Sequence, residues 1–344
     1  MATMLIERLE NGHTLTRADA ETLMEELLCG HLETPEIVRF LRALNRRPVQ
    51  VTELAAFASV MRRHAAVMFG NNEVRPAEMV DTCGTGGDGC NTFNISTAAA
   101  IVAAAAGARV AKHGNRAASS RCGSADVLEA LGVRIDTGFA QTARGIREIG
   151  IGFLFAPAAH AATRHAVPAR KQIAERTVFN LLGPLTNPAG AQAQVVGVFS
   201  PDSIDLMAAT LAELGVQRAF VVHGAGGLDE ISLAGETLVA DVNRGQVRRY
   251  IVTPDDFGVS RGSLDALCGG VPAENAAIIR QVFGGEHGPR RDVVIVNAAA
   301  ALVACQLAGD FREAAQIAAA AISSGAAAEK LDALAAFSKA ETYT

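Results

Sequence analysis

Apolar positions in the first seventy residues recur with a helical period. Ala20, Leu23, Met24, Leu27 and Leu28 fall at i, i+3, i+4, i+7 and i+8 and so share one face of a helix. Thr16 can cap that helix and Gly30 can end it, while Thr34 followed by Pro35 repeats the start signal. A second set is Ile37, Phe40, Leu41 and Leu44, and a third is Leu54, Phe57, Ala58 and Met61. The pattern predicts an all-helical domain over residues 1–70 that packs but carries no chemistry of its own.

After the polar stretch 70–78 the period changes. Short apolar or β-branched runs at 79–82, 109–112, 152–155, 195–199 and 219–223, with two more near 237–242 and 247–252, alternate with Ala-rich helical segments. Those segments fall at 95–106, 124–131, 203–214, 272–282 and 293–307. Alternation of this kind predicts an α/β domain over 75–344. No internal repeat of fixed period interrupts it.

Composition adjusts this picture little. With 344 residues, 49% of them hydrophobic, the chain can bury two cores. A net charge of -5 gives no electrostatic grip on nucleic acid or an anionic membrane, so any anionic substrate must be held locally. The six cysteines form no CxxC pair and no even framework, which argues against a zinc site or a disulfide scaffold and for a reduced, cytoplasmic protein. The N-terminus lacks a basic-then-apolar leader pattern, and no apolar run reads as a membrane span.

The segment 81–97, DTCGTGGDGCNTFNIST, places a Gly-rich turn between a predicted strand and a predicted helix. Glycines at 84, 86, 87 and 89 let backbone N–H groups approach an anion, and the start of the next helix adds unpaired donors. The spacing is neither a Walker A loop nor GxGxxG. One N-cap would satisfy the helix; Thr92, Asn94, Ser96 and Thr97 supply four candidates, more than capping needs. The next strand leads into KHGNRAASS (112–120), where Lys112 and Arg116 bring positive charge to a loop of small residues. A basic loop is commonly just a solvated one, but its place after a strand favours anion binding. His113 is open to packing, hydrogen bonding or catalysis. At the end of a later strand, HGAGGLDE (223–230) puts Asp229 and Glu230 side by side. Adjacent carboxylates facing a diphosphate require a cation, and oxygen ligands beside phosphates favour magnesium.

Taken with RTVFNLLGPLTNP (176–188), these motifs in this order resemble anthranilate phosphoribosyltransferases from about Leu15 to Phe337. The resemblance implies a small helical domain, completed by helices around 163–185, joined to an α/β domain with a mostly parallel sheet of the nucleoside phosphorylase/phosphoribosyltransferase type. It also implies a cytoplasmic homodimer through the helical domain, with no nucleic-acid or membrane partner. It places 5-phosphoribosyl 1-pyrophosphate (PRPP) against Gly84, Gly87, Asp88, Thr92, Asn94, Ile95, Ser96, Thr97, Lys112, His113, Gly114, Asn115, Arg116, Ala117, Ala118, Ser119, Ser120 and Ser124. Mg2+, two ions per protomer, falls to Ser96, Asp229 and Glu230, and anthranilate to Gly84, Asn115 and Arg170. A guanidinium fork suits the carboxylate of anthranilate, although an arginine on a polar helix would otherwise read as surface.

The sequence departs from the family at two places. His160-Ala161-Ala162-Thr163 stands where His-Pro-Ala-Met is common, and Ile173-Ala174-Glu175 where Leu-Gly usually precedes Arg-Thr. Two rivals share the scaffold. A pyrimidine nucleoside phosphorylase has a similar Gly-rich turn but a different basic loop. A noncatalytic nucleic-acid-binding relative would show a basic surface and an eroded NIST run, neither of which is seen.

Overall fold

The computed structural model describes residues 1–70, 75–117 and 120–340. Four helices open the chain: α1 (Ala2–Glu10), α2 (Arg17–Leu28), α3 (Thr34–Asn45) and α4 (Val51–Arg63). The periodic face of α2 is buried along its length, and Thr16 accepts the Asp19 N–H as its N-cap. α3 starts one residue earlier than Thr34 would cap it, because Glu33 is the N-cap and Glu36 reaches back to the Glu33 N–H at 3.1 Å. α1 was not separately expected; its buried Leu5, Ile6 and Leu9 make too short a stripe to stand out.

Seven strands form one sheet. Alternating with helices are β1 (Val80–Gly84), α5 (Ile95–Ala105), β2 (Val110–Gly114), α6 (Ser124–Ala130), α7 (Phe139–Glu148) and β3 (Ile151–Phe155). Then come α8 (Ala156–Ala159), α9 (Val167–Ile173), α10 (Val178–Leu185), β4 (Ala193–Gly197), α11 (Ser203–Glu213) and β5 (Arg218–Gly224). The chain ends with β6 (Thr237–Asn243), β7 (Gln246–Val252), α12 (Pro272–Phe283), α13 (Pro289–Ala304), α14 (Phe311–Ser323) and α15 (Ala326–Lys339). The strand order is β3-β2-β1-β4-β5-β6-β7; β3 to β5 are parallel and β6 and β7 antiparallel.

Both faces of the inner strands β4 and β5 are covered, so they read as largely apolar runs, whereas the edge strand β7 is mostly exposed. In β4 and β5 the period is two: Ala193, Val195, Phe220 and Val222 face a core shared with α5, α6 and α12–α15. Val196, Ala219 and Val221 face a core shared with α11 and the opening helices, and Ala166, Ala169, Ile173, Phe179 and Leu182 of the 163–185 segment join this second core. α13 begins at Pro289 rather than near 293, because proline at N1 starts the helix a turn before its apolar face does.

The order of strands decides where a ligand can go. From β1 the chain moves outward through β2 and β3, then returns to β4 on the other side of β1. That reversal opens a crevice beyond the carboxyl ends of β1 and β4, where open α/β sheets bind ligands.

Candidate active site

Gly84 and Gly197 are register partners at the carboxyl ends of β1 and β4. Neither position has room for a side chain. A Cβ on Gly84 would lie 2.7 Å from Asp229 Oδ2, and one on Gly197 would lie 1.5 Å from the Asp229 carbonyl oxygen. The two glycines therefore let the loop after β5 fold over the crevice and set Asp229 on its floor. Gly224 N–H donates to Leu228 O at 2.8 Å within that loop, and the buried Asn297 of α13 accepts the Ile231 N–H at 2.9 Å just beyond it.

Asp229 Oδ2 accepts the Gly86 N–H at 3.0 Å, and the Asp229 N–H donates to Asp88 Oδ2 at 3.4 Å. Glu230 Oε1 accepts the Ser96 N–H, in the first turn of α5, at 3.1 Å. Three carboxylates are thus gathered on one Gly-rich turn. Burial first, with Asp88 adding its charge, pushes the Asp229 carboxyl above the usual carboxylate range. Burial followed by Asp229 does the same for Glu230, with Lys112 opposing.

The turn itself keeps donors in reserve. Gly86, Gly87 and Gly89 have φ of 67°, 76° and 78°, a conformation that turns successive N–H groups toward one side. Among the described residues, the N–H groups of Gly87, Asp88 and Gly89 have no partner. Ser96 Oγ has none either.

Other expected contacts take different places. Asn94 is committed to structure: its Nδ2 donates to Cys122 O at 3.1 Å, and its Oδ1 accepts Asn275 Nδ2 at 2.9 Å. Thr97 Oγ1 is buried inside α5 without a partner. Lys112 is buried and its Nζ donates to the Thr82 carbonyl, so its charge acts from beneath the strands. Arg116 donates to Asp126 at 3.0 Å and to Glu129 at 2.5 and 3.0 Å, so those acids already answer the charge expected of this loop.

His113 is buried, its N–H donates to Asp81 Oδ1 at 3.1 Å, and its ring meets that of His160 edge-on at 5.2 Å. Burial first, then His160 and Lys112, push His113 down to about 3, and burial pushes His160 down to about 4. Both rings are neutral near pH 7, and the His113 ring both packs on His160 and hydrogen-bonds the Gly183 backbone.

The loop after β2 is clamped to α6. Asn115 O accepts Ser124 Oγ at 3.2 Å, and Asp126 Oδ2 accepts the Ala117 and Gly123 N–H groups, each at 2.9 Å. Asn115 Oδ1 accepts the Arg116 N–H at 2.7 Å, which leaves its amide nitrogen free. Ser120 is exposed; Ala118 and Ser119 lie outside the described residues. Arg170 on α9 stacks over Phe179 at 5.3 Å, and among the described residues its guanidinium has neither an acidic partner nor a hydrogen bond. Burial holds it below the usual guanidinium range.

At the departures, Thr163 Oγ1 donates to His160 O at 2.7 Å, and Ala174 takes φ 54° at the C-cap of α9. Sequence reasoning missed Gly197, whose signal was a glycine interrupting a β-branched run, and Arg176, which donates to the Gly87 carbonyl. Elsewhere, Glu25, Cys29 and His64 bring ligand atoms within 4.8 Å of one another, but Glu25 is already paired with His64 at 2.5 Å and Arg63 at 3.5 Å.

Comparison with known proteins shows the family and the fold. Residues 76–328 match the model of the Glycosyl transferase family, a/b domain, and residues 3–65 that of the Glycosyl transferase family, helical bundle domain. The chain is 47% identical, over 98% of its length and 99% of the relative's, to the anthranilate phosphoribosyltransferase of Desulfatibacillum aliphaticivorans. The crystal structure of the enzyme of that name from Thermus thermophilus is similar with a TM-score of 0.92 at 44% identity, covering 98% of this chain and 99% of that one. That of Saccharomyces cerevisiae, in complex with PRPP and Mg, gives 0.89 at 27% identity, covering 98% and 97%.

Proposed function

The chain belongs to the anthranilate phosphoribosyltransferase family, and from that premise we propose how its residues divide the reaction. The protein transfers the phosphoribosyl group of PRPP to the amine of anthranilate, giving N-(5-phosphoribosyl)anthranilate and pyrophosphate in tryptophan biosynthesis, and uses Mg2+. One observation supports the assignment above the rest: Asp229 sits on the Gly84–Gly197 floor beside three partner-free N–H groups.

The free N–H groups of residues 87–89 and the start of α5 receive the diphosphate. Asp229, Glu230 and the free Ser96 hydroxyl form an all-oxygen donor set that fits a hard divalent cation, and Asp88 supports a count of two ions per protomer. Mg2+ bound there offsets the charge that gathers on the departing diphosphate. The loop Gly114–Ala117 with Ser120 and Ser124 holds the phosphoribosyl end. Lys112 adds its charge through the strand rather than by contact.

Arg170 takes the anthranilate carboxylate, with Gly84 and Asn115 beside the ring. Its unpaired, partly buried guanidinium supports this, because such a charge gains most from a carboxylate partner. The amine nitrogen then attacks C1 of the ribose as the bond from C1 to the diphosphate oxygen breaks, with positive charge building on the ring. No covalent enzyme intermediate is required.

Residues 1–70 with 163–185 form the helical domain in this reading, and 75–344 the α/β domain. Protomers pair through the former, supported by the exposed Met1, Met4 on α1 and Val167 on α9. The six free cysteines support a cytoplasmic location. Among the described residues, no helix is long and apolar enough to cross a membrane.

The test is loss of anthranilate fluorescence on adding PRPP and Mg2+, against a parallel assay with thymidine and phosphate. Turnover of anthranilate that stops on chelation is expected. Turnover of thymidine alone would transfer the assignment to a nucleoside phosphorylase.

A further inference from the structure

Most of the RTVFNLLGPLTNP motif is accounted for by structure. Asn180 Oδ1 accepts the Thr177 N–H at 3.0 Å to start α10, and the Pro184 carbonyl accepts Gln194 Nε2 at 2.8 Å. Asn187 donates to Asp81 Oδ2 and Ala111 O, both at 2.8 Å. Arg176 alone has no such explanation. It stands between α9 and α10, where its carbonyl accepts Asn45 Nδ2 from α3 at 2.7 Å. Its guanidinium lies over the Phe199 ring at 4.0 Å and donates to the Gly87 carbonyl. Among the described residues it has no acidic partner. A Cβ on Gly87 would come within 3.3 Å of it.

We propose that Arg176 is a positioning residue for the donor substrate, holding the Gly-rich turn in its anion-receiving form from the helical domain. The inference rests on the reading that this turn receives the diphosphate of PRPP. A trans peptide points its C=O and the following N–H in opposite directions. Pinning the Gly87 carbonyl therefore fixes the Asp88 N–H, one of the three free donors, on the side away from Arg176. The side chain cannot drift, because it is sandwiched between a ring at the end of the β4 run and a glycine, and its backbone is tied to α3. A cation that no carboxylate neutralises also raises the local potential for an incoming anion. Lysine cannot reproduce this: it lacks the planar face that stacks on Phe199.

The experiment uses the full chain with Arg176→Ala, Arg176→Lys and Phe199→Leu, each measured for kcat and for both KM values at saturating Mg2+. Arg176→Ala should raise the KM for PRPP by about tenfold or more, the scale of one lost charge-assisted hydrogen bond. The KM for anthranilate at saturating PRPP should move less than about twofold on the same reasoning. Arg176→Lys and Phe199→Leu should fall between wild type and alanine, and added ethylguanidinium should restore part of the loss in the alanine variant. If Arg176→Ala is too unstable to assay, the lysine and leucine variants must still show the selective rise in PRPP KM. A PRPP KM within twofold of wild type in the folded variants would overturn the proposal, as would a parallel rise in both KM values. Absence of anthranilate turnover in the wild-type protein would instead overturn the reading on which it rests.

Discussion

The turn after β1 and the segment from His160 to Thr177 solve the same problem with different materials. In the proposed reading, each leaves polar groups unsatisfied so that a substrate can complete them. The turn does it with backbone: glycines at positive φ free the N–H groups of residues 87–89, and acids from the loop after β5 fix the floor. The acceptor segment does it with a side chain: Arg170 is left without a partner on a seven-residue helix, braced by Phe179. Backbone donors are rigid and unselective among anions, whereas a guanidinium fork on a short helix selects a planar carboxylate. In the proposed reading, generic rigidity lies where the diphosphate would bind and specificity where the aromatic acid would bind.

The most damaging way to test the first half is at Gly197. Alanine there would bring a Cβ to 1.5 Å from the Asp229 carbonyl, so the loop carrying Asp229 and Glu230 must move. Displacement of about 1 Å at a catalytic constellation costs about 100-fold in rate. Gly197→Ala should lose at least that much activity and most of its response to Mg2+, while the buried contacts of β4 keep it folded. Retained activity with an unchanged Mg2+ titration would show that the paired-glycine floor does not set the metal site.

The second half is tested by Arg170→Ala. A hydrogen-bonded charge pair is worth about 1.5–3 kcal/mol, so the KM for anthranilate should rise roughly 10- to 100-fold. The KM for PRPP should stay near wild type, because no hydrogen bond or ion pair joins Arg170 to the turn. Steady-state kinetics with each substrate varied decide it, and an unchanged anthranilate KM would remove Arg170 from the acceptor site.

The same contrast explains what could be read before the structure. Gly86, Gly87 and Gly89, with Asp229 and Glu230 at a strand end, have few structural alternatives, so their pattern in the sequence already points to an anion and a cation. Side chains with two possible uses did not declare themselves. Nothing in the sequence shows that the Asn94 side chain ties Cys122 to Asn275, residues 28 and 181 positions away. Arg116 looked like free charge and is answered by Asp126 and Glu129, which lie on a helix that only the fold brings alongside. Arg176 looked like part of a motif and nothing more, since the carbonyl it holds is 89 residues distant. All seven strands were legible as short apolar or β-branched runs; burial on both faces explains this for β4 and β5, whereas the edge strand β7 is largely exposed and declared itself through its valines, tyrosine and isoleucine. α14 and α15 were not, because alanine supplies little contrast between a helix's buried and exposed sides, and α7 was not, because its buried face is Thr142, Ala143, Gly145 and Ile146, of which Ile146 alone is strongly apolar.

The finest difference between the two regions is a single Cβ. At its positive-φ positions the turn uses glycine three times and Asn91, a residue that tolerates the left-handed region, once, but the acceptor segment ends α9 with Ala174 at φ 54°, ψ 19°. A left-handed alanine costs about 1–2 kcal/mol through the clash of Cβ with the following carbonyl. Glycine would remove that clash but lose more chain entropy on folding, about 0.5–1 kcal/mol. The balance favours Ala174→Gly by about 0.5–1 kcal/mol, or a rise of about 1 °C in the melting temperature of a chain this size. Differential scanning calorimetry should resolve it, with the KM for anthranilate unchanged because Arg170 lies a full turn earlier on the same helix. A stabilised variant with a raised anthranilate KM would show instead that the strained alanine helps to hold Arg170 toward its substrate, and that the acceptor side, too, depends on backbone.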